Sequence, residues 1–156
     1  MLAALLAGCA GSRVDSAHPL LTHDAKAARV YFIRPFTDRP MGFADNAIAV
    51  EVDRVSLLKL VKGEYTMSYI NPGAVFFTVH SDTSWGPEFL PKKMTRSKRF
   101  QFAPGETYFV VFRPIDGEFR GVNFDMASVS LEDARELSRH LRVAGSAARS
   151  EPIDEL

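Results

Sequence analysis

The chain has 156 residues, of which 46% are hydrophobic and 24% are charged. This length and composition are typical of one folded domain and exclude wholesale disorder. Lysine plus arginine equals aspartate plus glutamate at 19 each, so the formal net charge is zero, which argues against a dedicated nucleic-acid binder with its usual basic excess.

The chain begins with a short apolar run that ends at its only cysteine, Cys9. Residues 1–8 are far fewer than the roughly 20 that a membrane-spanning helix needs, but they have the composition of the end of a signal peptide's apolar region. The last three residues of this run, together with the cysteine, resemble the lipobox of bacterial lipoproteins, L-[AS]-[GA]-C. The match holds at every position, namely Leu6, Ala7, Gly8 and Cys9.

The lipobox resemblance implies a cellular location and a lipid anchor. In lipoproteins the signal peptide is removed before the cysteine, whose thiol is joined to diacylglycerol, and acyl chains such as palmitate hold the protein on the membrane. Residues 1–8 would then be a residual signal peptide and Cys9 the lipidation site. Ala10 follows in place of an aspartate, which resembles lipoproteins of the outer membrane that face the periplasm. Because no lysine or arginine precedes Cys9, we also expect an N-terminally clipped signal peptide; the alternative is an ordinary terminus with an incidental cysteine.

The segments after Cys9 predict a tether followed by a mainly β domain. Residues 9–28 have little periodicity and predict a flexible tether with a reach of roughly 25 Å. Apolar alternation and β-branched or aromatic runs then predict strands at 29–34, 47–53, 55–60, 65–70, 74–81, 99–102, 107–113 and 122–126. Lys62-Gly63 predicts a hairpin turn, and Asn71-Pro72-Gly73 and Pro104-Gly105 predict turns in which glycine takes a positive φ. A loop through Trp85 is expected between residues 81 and 99.

Helical periodicity occurs near the C-terminus. Ser130 and Asp133 have the spacing of an N-cap with an acid in the first turn, and apolar residues recur on one face as far as Leu141. We therefore predict a helix over 130–142 and a disordered tail over 143–156. The fold class is a small antiparallel β-sandwich with one C-terminal α-helix, and the domain spans 29–142.

Several short motifs, in order, resemble a bacterial lipoprotein family known as domain of unknown function 2846. They are Ala28–Pro35 (ARVYFIRP), Ala49–Asp53 (AVEVD), Leu60–Tyr65 (LVKGEY), Asn71-Pro72-Gly73 and Pro104–Phe109 (PGETYF). The match covers about Ala28 to Leu141. Arg54 stands where the family usually has a glycine, and Ala74 and Val75 stand where a hydrogen-bonding residue is common. The resemblance implies a β-rich lipoprotein domain of the PEGA-like or Greek-key type, without known catalytic residues.

The segment from residue 84 to 99 is the most suggestive surface feature. It contains the only tryptophan and five basic residues, with no acid after Glu88. We predict that it contacts anionic envelope material, such as lipid headgroups, phosphorylated glycolipid or cell-wall polymer. The alternative is a solvated loop whose charges keep a strand edge from pairing with other chains. The candidate residues are Trp85, Lys92, Lys93, Arg96, Lys98 and Arg99.

Motifs for catalysis are not found in the sequence. His18 and His23 lie in the predicted tether, and His80 ends a predicted strand beside Asp82. Neither arrangement forms a nucleophile–base pair or a metal-ligand spacing. We therefore predict no enzyme, no metal and no cofactor except the lipid on Cys9.

The function predicted from the sequence is a lipid-anchored, non-catalytic binding or accessory module of the bacterial envelope. Its partner would be an envelope protein, peptidoglycan or glycolipid rather than nucleic acid. Two alternative functions remain. In the first, the abundant aromatic residues line the cavity of a lipid or small-ligand carrier. In the second, the protein is a small hydrolase whose catalytic residues are not recognised from the sequence.

Overall fold

The described residues of the protein form a sandwich of two five-stranded sheets with an α-helix packed on its outer side. The structure, a computed structural model, describes residues 13–14, 18, 21, 26–37, 47–85, 88, 90–115, 123–145 and 152–156. Each sheet combines strands from distant parts of the chain. The predicted β-sandwich with a C-terminal helix is therefore confirmed.

The strands of the first sheet are β1 (Arg13–Val14), β3 (Ile48–Val52), β4 (Val55–Leu60), β6 (Gly73–Trp85) and β7 (Leu90–Phe102), and their order in space is β1-β4-β3-β6-β7. The strands of the second are β2 (Ala28–Arg34), β5 (Glu64–Ile70), β8 (Thr107–Ile115), β9 (Asn123–Val129) and β10 (Arg142–Val143), in the order β10-β5-β2-β8-β9. Helix α1 spans Leu131–Ser138, and a 3-10 helix spans Ile153–Glu155. Most pairings are antiparallel, but β2 pairs in parallel with β8, and β10 with β5, which the purely antiparallel prediction did not include.

Strand β2 is buried on both faces because it lies in the middle of a sheet that is covered on both sides. Val30 and Phe32 point into the core between the two sheets. Tyr31 and Ile33 point to the opposite side, into a smaller core that α1 and the 3-10 helix cover. Alternating side chains on one strand therefore serve two separate cores, as expected for a doubly apolar run.

A buried arginine joins the two sheets. Arg34, at the end of β2, is 1% exposed, and its Nη1 donates to the carbonyl oxygen of Leu60 in the first sheet at 2.9 Å. Its guanidinium lies 5.0 Å from the ring centre of Phe124. Glu64, which is also buried, lies opposite Arg34 on β5 and pairs with Arg142 of β10. These contacts give the buried side chains of Arg34 and Glu64 the hydrogen-bond and ion-pair partners that buried polar groups require.

The predicted turn at Lys62-Gly63 exists, but the hairpin predicted from it is wrong. Gly63 has φ +76° and donates its backbone N–H to Arg34 O at 2.9 Å. Strand β4 before it belongs to the first sheet, whereas β5 after it belongs to the second. The turn therefore carries the chain between sheets instead of pairing the two strands. The chain returns from the second sheet to the first between β5 and β6, and Gly73, the first residue of β6, has φ +128°.

The predicted loop through Trp85 is also wrong. Strand β6 continues to Trp85, and β7 begins at Leu90, so residues 90–98 are strand. The two strands form a hairpin whose register runs without a shift from Gly73 opposite Phe102 to Trp85 opposite Leu90. The basic stretch accordingly lies on an edge strand of the first sheet.

The C-terminal helix is shorter than predicted. Ser130 caps it as expected, with its Oγ accepting from the Asp133 N–H at 3.1 Å. The helix ends at Ser138 rather than 142, because Arg142 and Val143 pair in parallel with β5. The prediction of a disordered tail over 143–156 is wrong for its described residues. Ile153 is fully buried in the core beneath α1.

The described residues of the predicted tether, 9–28, contact the domain. Arg13 and Val14 form β1 and pair with β4, and Leu21 bridges Ile70 of β5. His18 is buried. The lipobox residues 6–9 lie outside the described residues. Within the described ranges, no helix has the length and apolar character that a bilayer crossing requires.

Candidate binding surface

Strand β7 presents the basic residues that the sequence singled out. Lys92, Lys93, Arg96, Lys98 and Arg99 are all exposed. The backbone of Trp85 lies at the end of β6, opposite Leu90, and its side chain falls outside the described part of the structure. The structure therefore gathers the five cations on one strand, which we call the basic strand.

The cations divide between the two faces of the sheet, because successive side chains of a strand point in opposite directions. Phe100 and Phe102 point into the core between the sheets. The even-numbered cations share their face, and the odd-numbered cations lie on the outer face of the first sheet. The inner-face set is Lys92, Arg96 and Lys98, and the outer-face set is Lys93 and Arg99.

The inner-face cations lie along the side of the sandwich where β7 approaches β9. Arg96 Nε is 3.2 Å from Asp125 Oδ1, and both side chains are partly exposed. Such a surface pair contributes at most about 1 kcal/mol to stability. It joins the edges of the two sheets.

The outer face carries an exposed aromatic side chain that the sequence reasoning missed. Phe76 is 56% exposed, and the Arg99 guanidinium carbon lies 5.7 Å from its ring centre, within cation–π distance. The hydroxyl groups of Thr78 and Ser97 are 2.8 Å apart beside them. The signal was present in the sequence, because Phe76 breaks the inward series of Val75, Phe77 and Val79.

His80 has a different partner from the one its sequence neighbourhood indicated. It lies within β6, and its Nε2 is 2.8 Å from Glu51 Oε2 on β3, rather than paired with Asp82. This contact joins neighbouring strands on the outer face. In the part of the chain that the structure describes, no group of three or more His, Cys, Asp or Glu side chains is placed to hold a metal ion.

A cleft of about 470 Å³ lies at the C-terminal end of α1, away from the basic strand. Its lining combines apolar, acidic and basic side chains, namely Pro35, Phe36, Arg113, Asp133, Glu136, Leu137, His140 and Leu141. None of these is a serine, threonine or cysteine that His140 could activate as a nucleophile. The charges of both signs give the cleft no preference for one class of ion.

The aromatic residues between the sheets pack against one another. The ring of Phe77 lies 5.3 Å from that of Phe100, 5.8 Å from that of Phe32 and 5.9 Å from that of Phe102. Phe32 also lies 6.4 Å from Phe112. These separations are those of aromatic pairs in contact. The arrangement favours a filled core over an aromatic-lined cavity.

The fold and the basic strand were compared with known proteins. No protein-family model, curated protein or solved structure matches this chain. The function of the basic strand therefore has to be inferred from its residues and their geometry.

Proposed function

We propose that this protein is a lipid-anchored, non-catalytic binding module of the bacterial envelope, and a member of the lipoprotein family of domain of unknown function 2846. The observation that carries the binding role is the placement of five exposed cations on one long edge strand. A chain with a net charge of zero that concentrates cations in this way attracts an anionic partner locally while remaining neutral overall.

The anchor part of the proposal is supported by the LAGC sequence at residues 6–9. Acyl chains contribute about 0.8 kcal/mol per buried CH₂ group, so two or more chains hold a protein stably where one is marginal. The outer membrane, facing the periplasm, is the proposed location because Ala10 follows the cysteine. The anionic partner in this compartment would be an envelope protein, peptidoglycan or a phosphorylated glycolipid.

The two alternatives have less support. The ring-on-ring packing of the core favours a solid sandwich over a lipid or small-ligand carrier. A hydrolase would need a nucleophile near a base, whereas the Nε2 of His80 lies 2.8 Å from a carboxylate oxygen of Glu51, and both side chains are partly buried. A binding role needs neither a cavity nor a nucleophile.

Membrane fractionation tests the anchor. The wild-type protein and Cys9→Ser are expressed with a complete signal peptide, and incorporation of an alkyne-tagged fatty acid is measured. We expect label and membrane association in the wild-type protein and neither in Cys9→Ser. If Cys9→Ser fractionates with membranes unchanged, the anchor proposal is wrong.

Crosslinking and affinity capture from native envelopes test the binding role. A quadruple variant, Lys92→Gln/Lys93→Gln/Lys98→Gln/Arg99→Gln, should lose the anionic component that the wild-type protein captures. The control for net charge is Lys59→Gln/Arg135→Gln/Arg139→Gln/Arg54→Gln, which replaces four exposed cations elsewhere on the domain in the same way. Arg142 is left unchanged because it pairs with Glu64. If wild-type and both variants capture the same components, the basic strand is not the binding surface.

A further inference from the structure

The basic strand lies at the edge of its sheet. Among the described strands, β7 pairs with β6 alone, through thirteen residues in unbroken register. Antiparallel pairing on one side leaves about half of an edge strand's backbone N–H and C=O groups pointing away from the sheet. Strand β9 approaches through the Arg96–Asp125 contact but belongs to the other sheet. The edge of β7 thus offers a row of backbone groups together with its cations.

The division of cations between two faces indicates the shape of the partner. A flat anionic surface, such as a layer of headgroups, contacts one face of a sheet at a time. A strand added beside β7 places its own side chains on both faces, about 5 Å from those directly opposite. Lys92 and Lys98 on the inner face and Lys93 and Arg99 on the outer face would then each meet carboxylates of the same added strand, while Arg96 keeps its pair with Asp125.

A second copy of this chain does not suit this edge. Pairing β7 with β7 of another copy would place lysine and arginine side chains opposite or diagonal to one another on both faces. Like charges in such positions destabilise a strand pair. Edge lysines are a common means by which proteins avoid this self-pairing. The charge of the edge therefore selects an acidic partner over a copy of itself.

The distance from the anchor disfavours the headgroups of the protein's own membrane. Only three residues separate Cys9 from Arg13 of β1, so the connection spans at most about 14 Å. Strand β1 is at one edge of the first sheet and β7 is at the other, four strand spacings or about 19 Å away. That separation is about twice the Debye length at physiological ionic strength, so the basic strand is beyond the electrostatic reach of the lipid when the first sheet stands on its β1 edge. In a protein anchored at Cys9, the basic strand meets the headgroups only when the first sheet lies along the membrane.

We propose that β7 binds an acidic, extended polypeptide segment, which adds to the first sheet as a sixth strand. Backbone hydrogen bonds to the outward groups of β7 supply the pairing, and carboxylates on both faces of the added segment meet the two sets of cations. This inference rests on the proposed function, because it identifies the partner class of the same basic strand. A segment of about six to nine residues spans the five cations.

Peptide binding to the full-length acylated protein tests the proposal. The protein is reconstituted in nanodiscs of uncharged phosphatidylcholine, so that no headgroup charge competes. The probe is a fluorescent peptide of about nine residues whose glutamates fall on both faces of a strand. The control peptides carry the same sequence with alternate amides N-methylated, in each of the two possible registers, which keeps the charge but blocks strand pairing on one side. Vesicles containing phosphatidylglycerol form a third arm.

Two double variants separate the faces of β7. Lys92→Gln/Lys98→Gln removes inner-face cations, and Lys93→Gln/Arg99→Gln removes outer-face cations. Each should weaken peptide binding about tenfold, as expected for the loss of two exposed charge contacts. Lys59→Gln/Arg135→Gln makes the same change in net charge elsewhere and should change binding less than twofold.

The peptide chemistry gives the decisive comparison. One of the two N-methylated peptides should bind at least tenfold more weakly than the parent, and the parent should slow amide hydrogen exchange along β7. If both N-methylated peptides bind as well as the parent, or only one face of β7 affects binding, strand addition is wrong. Preferential binding to the anionic vesicles would replace it with a lipid surface and leave the binding role intact. If neither peptide nor vesicles bind, this proposal and the choice of β7 as the binding surface both fail, whereas the Cys9 anchor is judged separately by fractionation.

Discussion

Replacing Phe77 with alanine tests the packing between the two sheets. Phe77 is fully buried, and its ring contacts those of Phe32, Phe100 and Phe102 at centre distances of 5.3 to 5.9 Å. A buried aromatic side chain removes roughly 150–250 Å² from water, which at about 25 cal/mol per Å² corresponds to about 4–6 kcal/mol as an upper bound. Measured Phe→Ala substitutions in cores cost about 3–5 kcal/mol. We therefore expect Phe77→Ala to lower the free energy of unfolding by about 4 kcal/mol.

The neighbouring residue provides a matched control. Phe76 lies on the same strand but is 56% exposed on the outer face, where it contacts Arg99. Phe76→Ala should cost about 1 kcal/mol or less. Urea unfolding measures both variants, and in thermal unfolding Phe77→Ala should lower Tm by about 10 °C. If that variant does not fold, Phe77→Leu, with an expected cost of about 1.5 kcal/mol, replaces it. Equal destabilisation by the Phe76 and Phe77 substitutions would refute the assignment of inner and outer faces to β6.

Three further predictions concern turns, a helix cap and a buried phenol. Gly63 and Gly105 both have positive φ, +76° and +73°, but a methyl group at Gly63 would also meet the ring of a neighbouring phenylalanine, whereas the space at Gly105 is open. Alanine at either position should cost about 1–2 kcal/mol in urea unfolding, with about 1 kcal/mol more at Gly63; equal costs would show that the ring moves aside freely. Ser130→Ala removes the cap of α1 and should cost about 1 kcal/mol in the same assay, and no loss would mean that the cap is not formed in solution. Burial raises the pKa of the Tyr65 hydroxyl above its ordinary value of 10.0. Because the unfolded chain then loses its phenolic proton at a lower pH than the folded chain, this contribution to stability is present below pH 10 and lost as the pH rises through the folded-state pKa. Urea midpoints measured at pH 8 and at about pH 11 should therefore differ less in Tyr65→Phe than in the wild-type protein, and an identical difference would contradict the shift.

Local sequence patterns predicted much of the sandwich because burial leaves a direct trace in the order of residues. The doubly apolar run of β2 predicted a strand covered on both faces, and β2 has two cores around it. The alternation of Ile48, Val50 and Val52 predicted a half-buried strand, which β3 is. The spacing of Ser130 and Asp133 predicted the beginning of α1. In each case the signal and the structure depend on residues close together in the chain.

The features that could not be predicted depend on partners far away in sequence. A turn at Gly63 is visible locally, but whether the next strand pairs with the last one or crosses to another sheet is decided by β2, thirty residues earlier. Arg34 would ordinarily be expected at the surface, and its acceptor, the Leu60 carbonyl, is 26 residues away. The two-residue strand β10 owes its existence to β5 alone. These are properties of the assembled sheets.

The candidate basic residues predicted to lie in a loop lie on a strand in the structure. Lysine and arginine have low strand preference, and the segment from residue 90 to 98 lacks the apolar alternation that marks other strands. Its strand conformation comes from the register with β6, which continues the hairpin well past the buried residues. In a loop these cations would form one charged surface, whereas on a strand they lie on two opposite faces of the sheet.

The parallel pairing of β2 with β8 has a consequence for the time at which the domain can form. Strand β2 ends at Arg34, but its neighbour β8 does not begin until Thr107, so the centre of the second sheet stays incomplete until most of the chain has been made. Loop closure over such a separation is slow, and contacts distant in sequence lower folding rates. In a chain exported as we propose, this delay would be an advantage, because the N-terminal part would reach the translocation machinery before the sandwich could close around it.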